Sequence, residues 1–494
     1  MYYIGYDLGS SSIKAALVDA QSGRQIGVTN YPEKEMDMIS LETGWAEQDP
    51  NLWWNYIGKL TKKLLLQTGV SKEAIKGIGI SYQMHGLVVV DKNQQALRPS
   101  IIWCDSRAVH IGNKAFFDLG EEKCVSGLLN SPGNFTLSKL KWVKENEPEL
   151  FEKIDKFMLP GDFIAMKLTG DTTTTISGLS EGIMWDFKQN SPANWLFDYM
   201  GISTDLIPTI VPTFSNQGTV TKAASEDVGL PVGIPVLYRA GDQPNNALSL
   251  NVLNPGEIAA TGGTSGVVYA VTDNRNTKES LRINNFAHVN YTTEKPIIGK
   301  LLNINGAGIQ YSWMKQHIAT TDSYNDMNEL ASQVAVGSDG LRIIPFGNGA
   351  ERMLNNKSYG SAIFNLNFNK HKNQHLFRAA LEGIAFAFVY GIDILKGDGV
   401  NVSGMRAGND NLFRSEIFAK TIATLINAEI NILDTTGAVG AARAAGVAAG
   451  DFSNLKDVFS DAEQVLTYHP LQDKNPYHEA YQLWKNDLET KYNN

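Results

Sequence analysis

Asp7 heads the stretch DLGSSSIK, where a carboxylate stands at the mouth of a loop that suits phosphate. Gly9, Ser10 and Ser11 offer backbone amides and hydroxyls to an anion. With Lys14 closing the stretch, they are the candidate ATP contacts of a first loop. An anion guarding an anion site is contradictory unless a dication separates the two. Nucleotide triphosphates arrive with Mg2+, which prefers a carboxylate and water. Asp7 therefore reads as the residue that holds hydrated Mg2+ against the phosphates. The loop has no GK[ST] ending and no GxGxxG spacing, and by itself it is also an ordinary hairpin turn.

A second turn, TGGTSG, repeats the first when Ile4 is laid on Ile258. Gly263, Thr264 and Ser265 then fall on Gly9, Ser10 and Ser11, while Thr261 stands where the first copy has Asp7. Asp242 follows a Gly at the end of an apolar strand in YRAGDQPNNALSL. An Asp after Gly is ordinarily a backbone cap. Before a phosphate turn it also suits a general base, taking the proton of a sugar hydroxyl during phosphoryl transfer. Gln83, Met84 and His85 share a turn and could show apolar and hydrogen-bonding contacts to a small polyhydroxylated ligand. Trp103 could stack on a sugar face and Asp105 could accept its hydroxyls; equally, they read as a core Trp and a surface Asp. Glu351 and Arg352 in PFGNGAERM suggest an interdomain ion pair.

These residues need elements to hold them. Strands are expected at 2–8, 13–19 and 23–31 as an antiparallel meander. Asp49 with Pro50 starts a helix whose apolar stripe runs through Trp53, Ile57, Leu60 and Leu64. Alternating strand and helix signals give an α/β class. HLFRAALEGIAFAFVYGIDIL reads as a long buried helix, GAVGAARAAGVAAG as a Gly/Ala helix for close packing, and the last stretch as an amphipathic helix. At 494 residues two domains are expected, set at 1–235 and 236–480, with 481–494 a helix packing back. A net charge of −9 argues against nucleic acid and anionic membranes as partners. Cys104 and Cys124 make no disulfide framework and suit a reducing cytoplasm. With no leader-like start and no apolar run long enough to span a bilayer, a soluble cytoplasmic protein is expected.

The ordered set YIGYDLGSSSIK, GWAEQDPNLWW, QMHG, IIWCDSR, NFTLSKLKWVKENEPELF, LPGDFIAMKLTG, GDQ, TGGTSG, PFGNGAER and RAALEGIAFA resembles the FGGY carbohydrate kinases, and among them the xylulose kinases. The resemblance implies two ribonuclease-H-like domains of the actin and sugar-kinase ATPase superfamily around a central cleft that closes on sugar and ATP. It makes Asp242 the catalytic base and Asp7 the residue organising metal and phosphate. Met84, His85 and Trp103 become sugar contacts, with Asp105 and Gln243 beside them. Thr264 and Ser265 match the second phosphate loop and Gly308 a nucleotide-site glycine. Gly408, Asn409 and Asn411 lie where the family places its adenosine loop.

Departures from the pattern are Cys104 and Gln243, each where xylulose kinases commonly have Asn, an adenosine loop without its glycine run, and Asn134 near Lys139. The implied reaction is Mg-ATP-dependent phosphorylation of a pentulose, D-xylulose being favoured. Another ketose or polyol (L-xylulose, ribulose, glycerol) and a non-catalytic sugar sensor are the alternatives. The implied partners are the sugar and ATP, with a homodimer left open.

Overall fold

The computed structural model describes residues 1–321, 323–458 and 464–492. They form two compact units. The first holds Met1–Asn251, Phe286–Ile298 and the described residues of 435–460. The second holds Val252–Asn285, Gly299–Asp434 and the described residues of 461–494.

In the first unit a five-stranded sheet runs in the order 236–241, 75–82, 2–8, 13–19, 25–31. The last three strands are the expected antiparallel meander, while Ile75–Tyr82 joins parallel to its first strand and Val236–Gly241 parallel to Ile75–Tyr82. Asp49 caps the helix Pro50–Thr68 by accepting the Asn51 amide at 2.9 Å. Trp53, Ile57, Leu60 and Leu64 of that helix are fully buried in the core that also takes Ile4, Tyr6 and Leu8. Each such side chain contributes about 2 kcal/mol by leaving water.

Residues on the other face of the first two strands, Tyr3 and Ala16 among them, pack on the Gly/Ala helix Gly437–Ala448. The approach there is backbone to backbone. A Cβ on Gly5 would sit 1.9 Å from the Ala438 carbonyl oxygen, and one on Gly79 would sit 1.9 Å from that of Ala441. Only glycine lets the helix lie this low on the strands.

The second unit repeats the plan. The five central strands of its sheet run 298–304, 266–272, 257–262, 404–408, 430–433. The hairpin 257–262/266–272 is antiparallel, and 404–408 and 430–433 lie parallel to its first strand. Counted from each unit's first strand, both sheets read third, second, first, fourth, fifth. This is the ribonuclease-H-like order the resemblance implies. The helix Asn373–Gly397 is buried along most of its length, as expected of its apolar sequence. The terminal helix Asn475–Tyr492 packs back through Trp484, whose indole N–H donates to the Ile343 carbonyl at 2.8 Å.

Three expected boundaries move. Val236–Gly241, assigned by the reading to the second domain, completes the first sheet by pairing with Ile75–Tyr82. Residues from Thr435 return to the first unit, because their helix fills the glycine-lined face of that sheet. The terminal helix spans Asn475–Tyr492, NPYHEAYQLWKNDLETKY, the stretch read as an amphipathic helix, so it starts ahead of the boundary set at 481. Among the described residues, no helix is long and apolar enough to cross a membrane.

Replacing Gly79 by Ala should cost about 3 kcal/mol, because the new methyl meets backbone that cannot swing aside. Chemical denaturation of the variant measures that loss. An unchanged midpoint would show that helix 437–448 sits higher on the sheet.

Candidate active site

Register brings the two aspartates together. In the parallel strands of the first unit Asp7 lies opposite Ser81, and Gly241 opposite Tyr82. Asp7 and Asp242 therefore sit at the same carboxyl edge, two strand spacings or roughly 10 Å apart along the sheet. Ligands of open α/β sheets bind at such an edge. Ser81 donates its hydroxyl to Asp7 Oδ1 at 2.8 Å. Oδ2 faces the first residue of helix 437–448, where a Cβ on Gly437 would come within 2.6 Å. Burial pushes the Asp7 carboxyl above its usual range, with Ser81 and then Lys14 opposing the shift.

Asp242 is pushed up to about 7, first by burial and then by the Asp7 charge, while hydrogen bonds from Gln243 oppose the rise. It opens the helix Asp242–Ser249, which is fixed from below by Asn245 donating to the Gly437 carbonyl at 2.9 Å. A carboxylate with that affinity for protons is well matched to general-base work near neutrality. The Asp7 charge that raises the proton affinity of Asp242 would also draw a cation. Among the described residues no cluster of three or more His, Cys, Asp or Glu side chains could hold a metal. One or two carboxylates with water and phosphate oxygens is the set Mg2+ favours, so the residues present fit it, and Asp7 is the carboxylate that would hold it.

Of the expected sugar contacts, Met84 is buried and His85 half-buried, with φ +63° and Nδ1 2.9 Å from the Glu181 carbonyl. Trp103 is half-exposed, and its indole N–H donates to Ser10 Oγ at 3.3 Å, tying it to the first loop. Lys139 fastens both segments. Its buried ammonium donates to the carbonyls of His85 at 2.8 Å and Ile102 at 3.0 Å, and burial pushes it down to about 7.

Asp105 is the correction. It is fully buried, and its oxygens already accept the Ala46 amide at 2.6 Å, the Arg107 amide at 2.9 Å and the Arg107 guanidinium at 2.7–3.0 Å. With every acceptor site in use, it has nothing left for a hydroxyl. Ser81, Gly437 and Lys139 are the site residues that reading from composition missed. Their only signal was position relative to strands whose pairing crosses long sequence gaps.

In the second unit a cavity of about 460 Å3 is lined by Gly263, Thr264, Gly308 and Asn411 from the expected set. Tyr311, Asn328, Arg414 and Ser415 join them unexpectedly. The Gly308 amide donates to Gly263 O and the Ile309 amide to Thr264 O, both at 3.0 Å. A Cβ on Gly308 would come within 2.3 Å of that Gly263 oxygen, which explains glycine there. Ser265 is exposed beside the loop. Gly408 ends the strand that leads towards Asn411, and the Asn409 amide is held by the Leu433 carbonyl at 3.0 Å. Gly408, Asn409 and Ser265 do not line the cavity. Glu351 and Arg352 are both engaged within this unit, Glu351 by backbone amides and Arg352 by Asn284 Oδ1, in place of the expected interdomain pair.

The N-terminal domain model of the FGGY family of carbohydrate kinases matches residues 2–249, and the C-terminal domain model matches 258–449. The xylulose kinase of Bacillus subtilis (strain 168) is 27% identical over 501 residues, covering 98% of this chain and 96% of that one. The L-xylulose/3-keto-L-gulonate kinase of Escherichia coli (strain K12) is also 27% identical, over 98% of this chain and 94% of its own. The crystal structure of the Rhodospirillum rubrum xylulose kinase superposes with a TM-score of 0.88 at 24% identity, covering all of both chains. It shows the shared fold.

Titration of the Asp242 carboxyl by carbon NMR should give a midpoint near 7 that falls in Asp7→Asn, since the neighbouring charge is removed. The folded value lies above the unfolded one near 4. Ionisation therefore costs the fold stability, a cost absent below pH ~4 and complete above ~7. Asp242→Asn should be more stable than the wild type at pH 8 by about 4 kcal/mol, with the gap closing towards pH 4. An equal gap at both pH values would refute the assignment.

Proposed function

We propose, from the premise that this chain belongs to the FGGY family of carbohydrate kinases and is an ATP-dependent sugar kinase, that it phosphorylates the 5-hydroxyl of D-xylulose. The observation that supports this reading best is Asp242, a carboxylate at a strand edge held at about 7 beside a second carboxylate. The sugar would lie on the first unit, against Met84, His85, Trp103 and Gln243. ATP would bind the second, in the cavity that reaches Gly263, Thr264, Gly308 and Asn411. Ser10 and Ser11 would meet the phosphate tail from the first loop.

Asp242 takes the proton of the bound hydroxyl as its oxygen attacks the terminal phosphorus of ATP, and the bond to ADP breaks. General-base assistance of this kind is worth about 10²- to 10⁴-fold. Lys139 holds the His85 and Ile102 carbonyls, which keeps the sugar-facing turn and Trp103 in register for that attack. Mg2+, when held by Asp7, supplies positive charge to the phosphate oxygens. The two free cysteines suit action in the cytoplasm.

A second reading, a different ketose or polyol, is favoured by Cys104 and Gln243. Cys104 is exposed next to Trp103, and a thiol there cannot replace an amide in binding a hydroxyl. A likeness to an L-xylulose/3-keto-L-gulonate kinase points the same way.

ADP release measured with D-xylulose, L-xylulose, ribulose and glycerol, each with and without Mg2+, separates these readings. D-Xylulose should give the highest kcat/KM, and only with Mg2+. In Asp242→Ala turnover should fall at least 100-fold while ATP binding by calorimetry stays within threefold. Near-normal turnover in that variant would remove Asp242 from the mechanism.

A further inference from the structure

The loop PFGNGAER carries an acid that the reaction as described leaves unused. Glu351 is buried at 1% exposure, and its carboxylate turns away from solvent to backbone. Oε2 accepts the Asn305 amide at 2.9 Å and the Gly306 amide at 3.1 Å, and Oε1 also accepts Asn305 at 3.2 Å. The loop that bears Glu351 is itself pinned, its amide donating to the Lys357 carbonyl at 2.9 Å.

What Glu351 grips is the turn into the helix Gly308–His317. Two residues beyond the gripped amides, those of Gly308 and Ile309 donate to Gly263 O and Thr264 O. The turn has no slack. A Cβ on Gly306 would come within 2.4 Å of the Pro345 carbonyl, from the same loop that carries Glu351. Three segments distant in sequence (263–264, 305–309 and 345–351) are thus held by main-chain contacts, and the first two line the cavity of the second unit through Gly263, Thr264 and Gly308.

We propose that Glu351 is a positioning residue for the nucleotide: by accepting the Asn305 and Gly306 amides it sets the turn that fixes the Gly263–Thr264 loop against the phosphates of ATP. The proposal rests on the reading of that cavity as the ATP site. Without the carboxylate two buried amides lose their acceptor, and the turn must move to find water or another carbonyl. The Gly263–Thr264 loop follows, since Gly308 and Ile309 hold it. Gln in place of Glu keeps one oxygen, and at the place of Oε2 that oxygen can still accept both amides.

The test uses the full chain with Mg-ATP. Glu351→Ala should raise KM for ATP tenfold or more, with KM for the sugar within twofold. Glu351→Gln should restore KM for ATP to within threefold of the wild type. A role in stability alone would lower the melting temperature of both variants and leave the ratio of the two KM values unchanged, and that result overturns the proposal.

If Glu351→Ala does not fold, hydrogen exchange on the wild type decides. Because coupling is reciprocal, Mg-ATP should slow exchange at Asn305 and Gly306 at least fivefold and the sugar alone should not. Equal exchange with and without Mg-ATP overturns the proposal. A wild type that fails to bind Mg-ATP by calorimetry would instead overturn the nucleotide-site reading beneath it.

Discussion

Backbone packed on backbone is the constraint from which the catalytic edge follows. Helix 437–448 lies on strands 2–8 and 75–82 at a distance that only Gly5 and Gly79 permit. That depth brings the helix's first residue against Asp7 and its Gly440 against Ser249 of the Asp242 helix. One contact surface therefore settles the height of both acids above the sheet. A side chain at either glycine would lift the helix and separate what the site must keep together.

The same packing explains why the acids are strained. Strand register sets Asp7 beside Ser81 and Asp242 just past Gly241, and both stand partly buried at the sheet edge. Lys14, in register opposite Asp7, is exposed and offsets the burial only in part. The electrostatic cost is carried by the rest of the unit, including the fully buried Trp53, Ile57 and Leu60 on the opposite face of the sheet. An acid whose proton affinity burial has raised is one that can take up a proton near neutrality. Structural acids in the same unit are treated differently. The Asp105 carboxylate is filled by donors from two segments, the Ala46 amide and the amide and guanidinium of Arg107.

Local signals in the sequence were faithful and distant ones were not. The start of helix 50–68 was legible because Asp49 and Pro50 act within one turn. The two Gly/Ser/Thr hairpins were legible because each strand pairs with its immediate neighbour, Leu8 with Ile13 and Gly262 with Gly266. The domain boundary was not, since Val236–Gly241 pairs with a strand more than 150 residues earlier, and nothing in its composition names that partner. For the same reason Asp105 passed for a ligand: its donors Ala46 and Arg107 come from opposite sides in sequence, and only the fold closes them around it. Lys139, buried deep and serving two carbonyls, looks in sequence like any helix-surface lysine.

The duplicated fold also shows why one acid suffices. Both units present a Gly/Ser/Thr turn after their first strand, but the position of Asp7 is taken by Thr261 in the second. The second unit has its own acid near the turn, and the fold faces Glu351 into main-chain amides, where its charge is spent on geometry. On the same order of central strands, the first unit holds Asp7 and Asp242 at its carboxyl edge, and the second holds Glu351 against its own backbone amides.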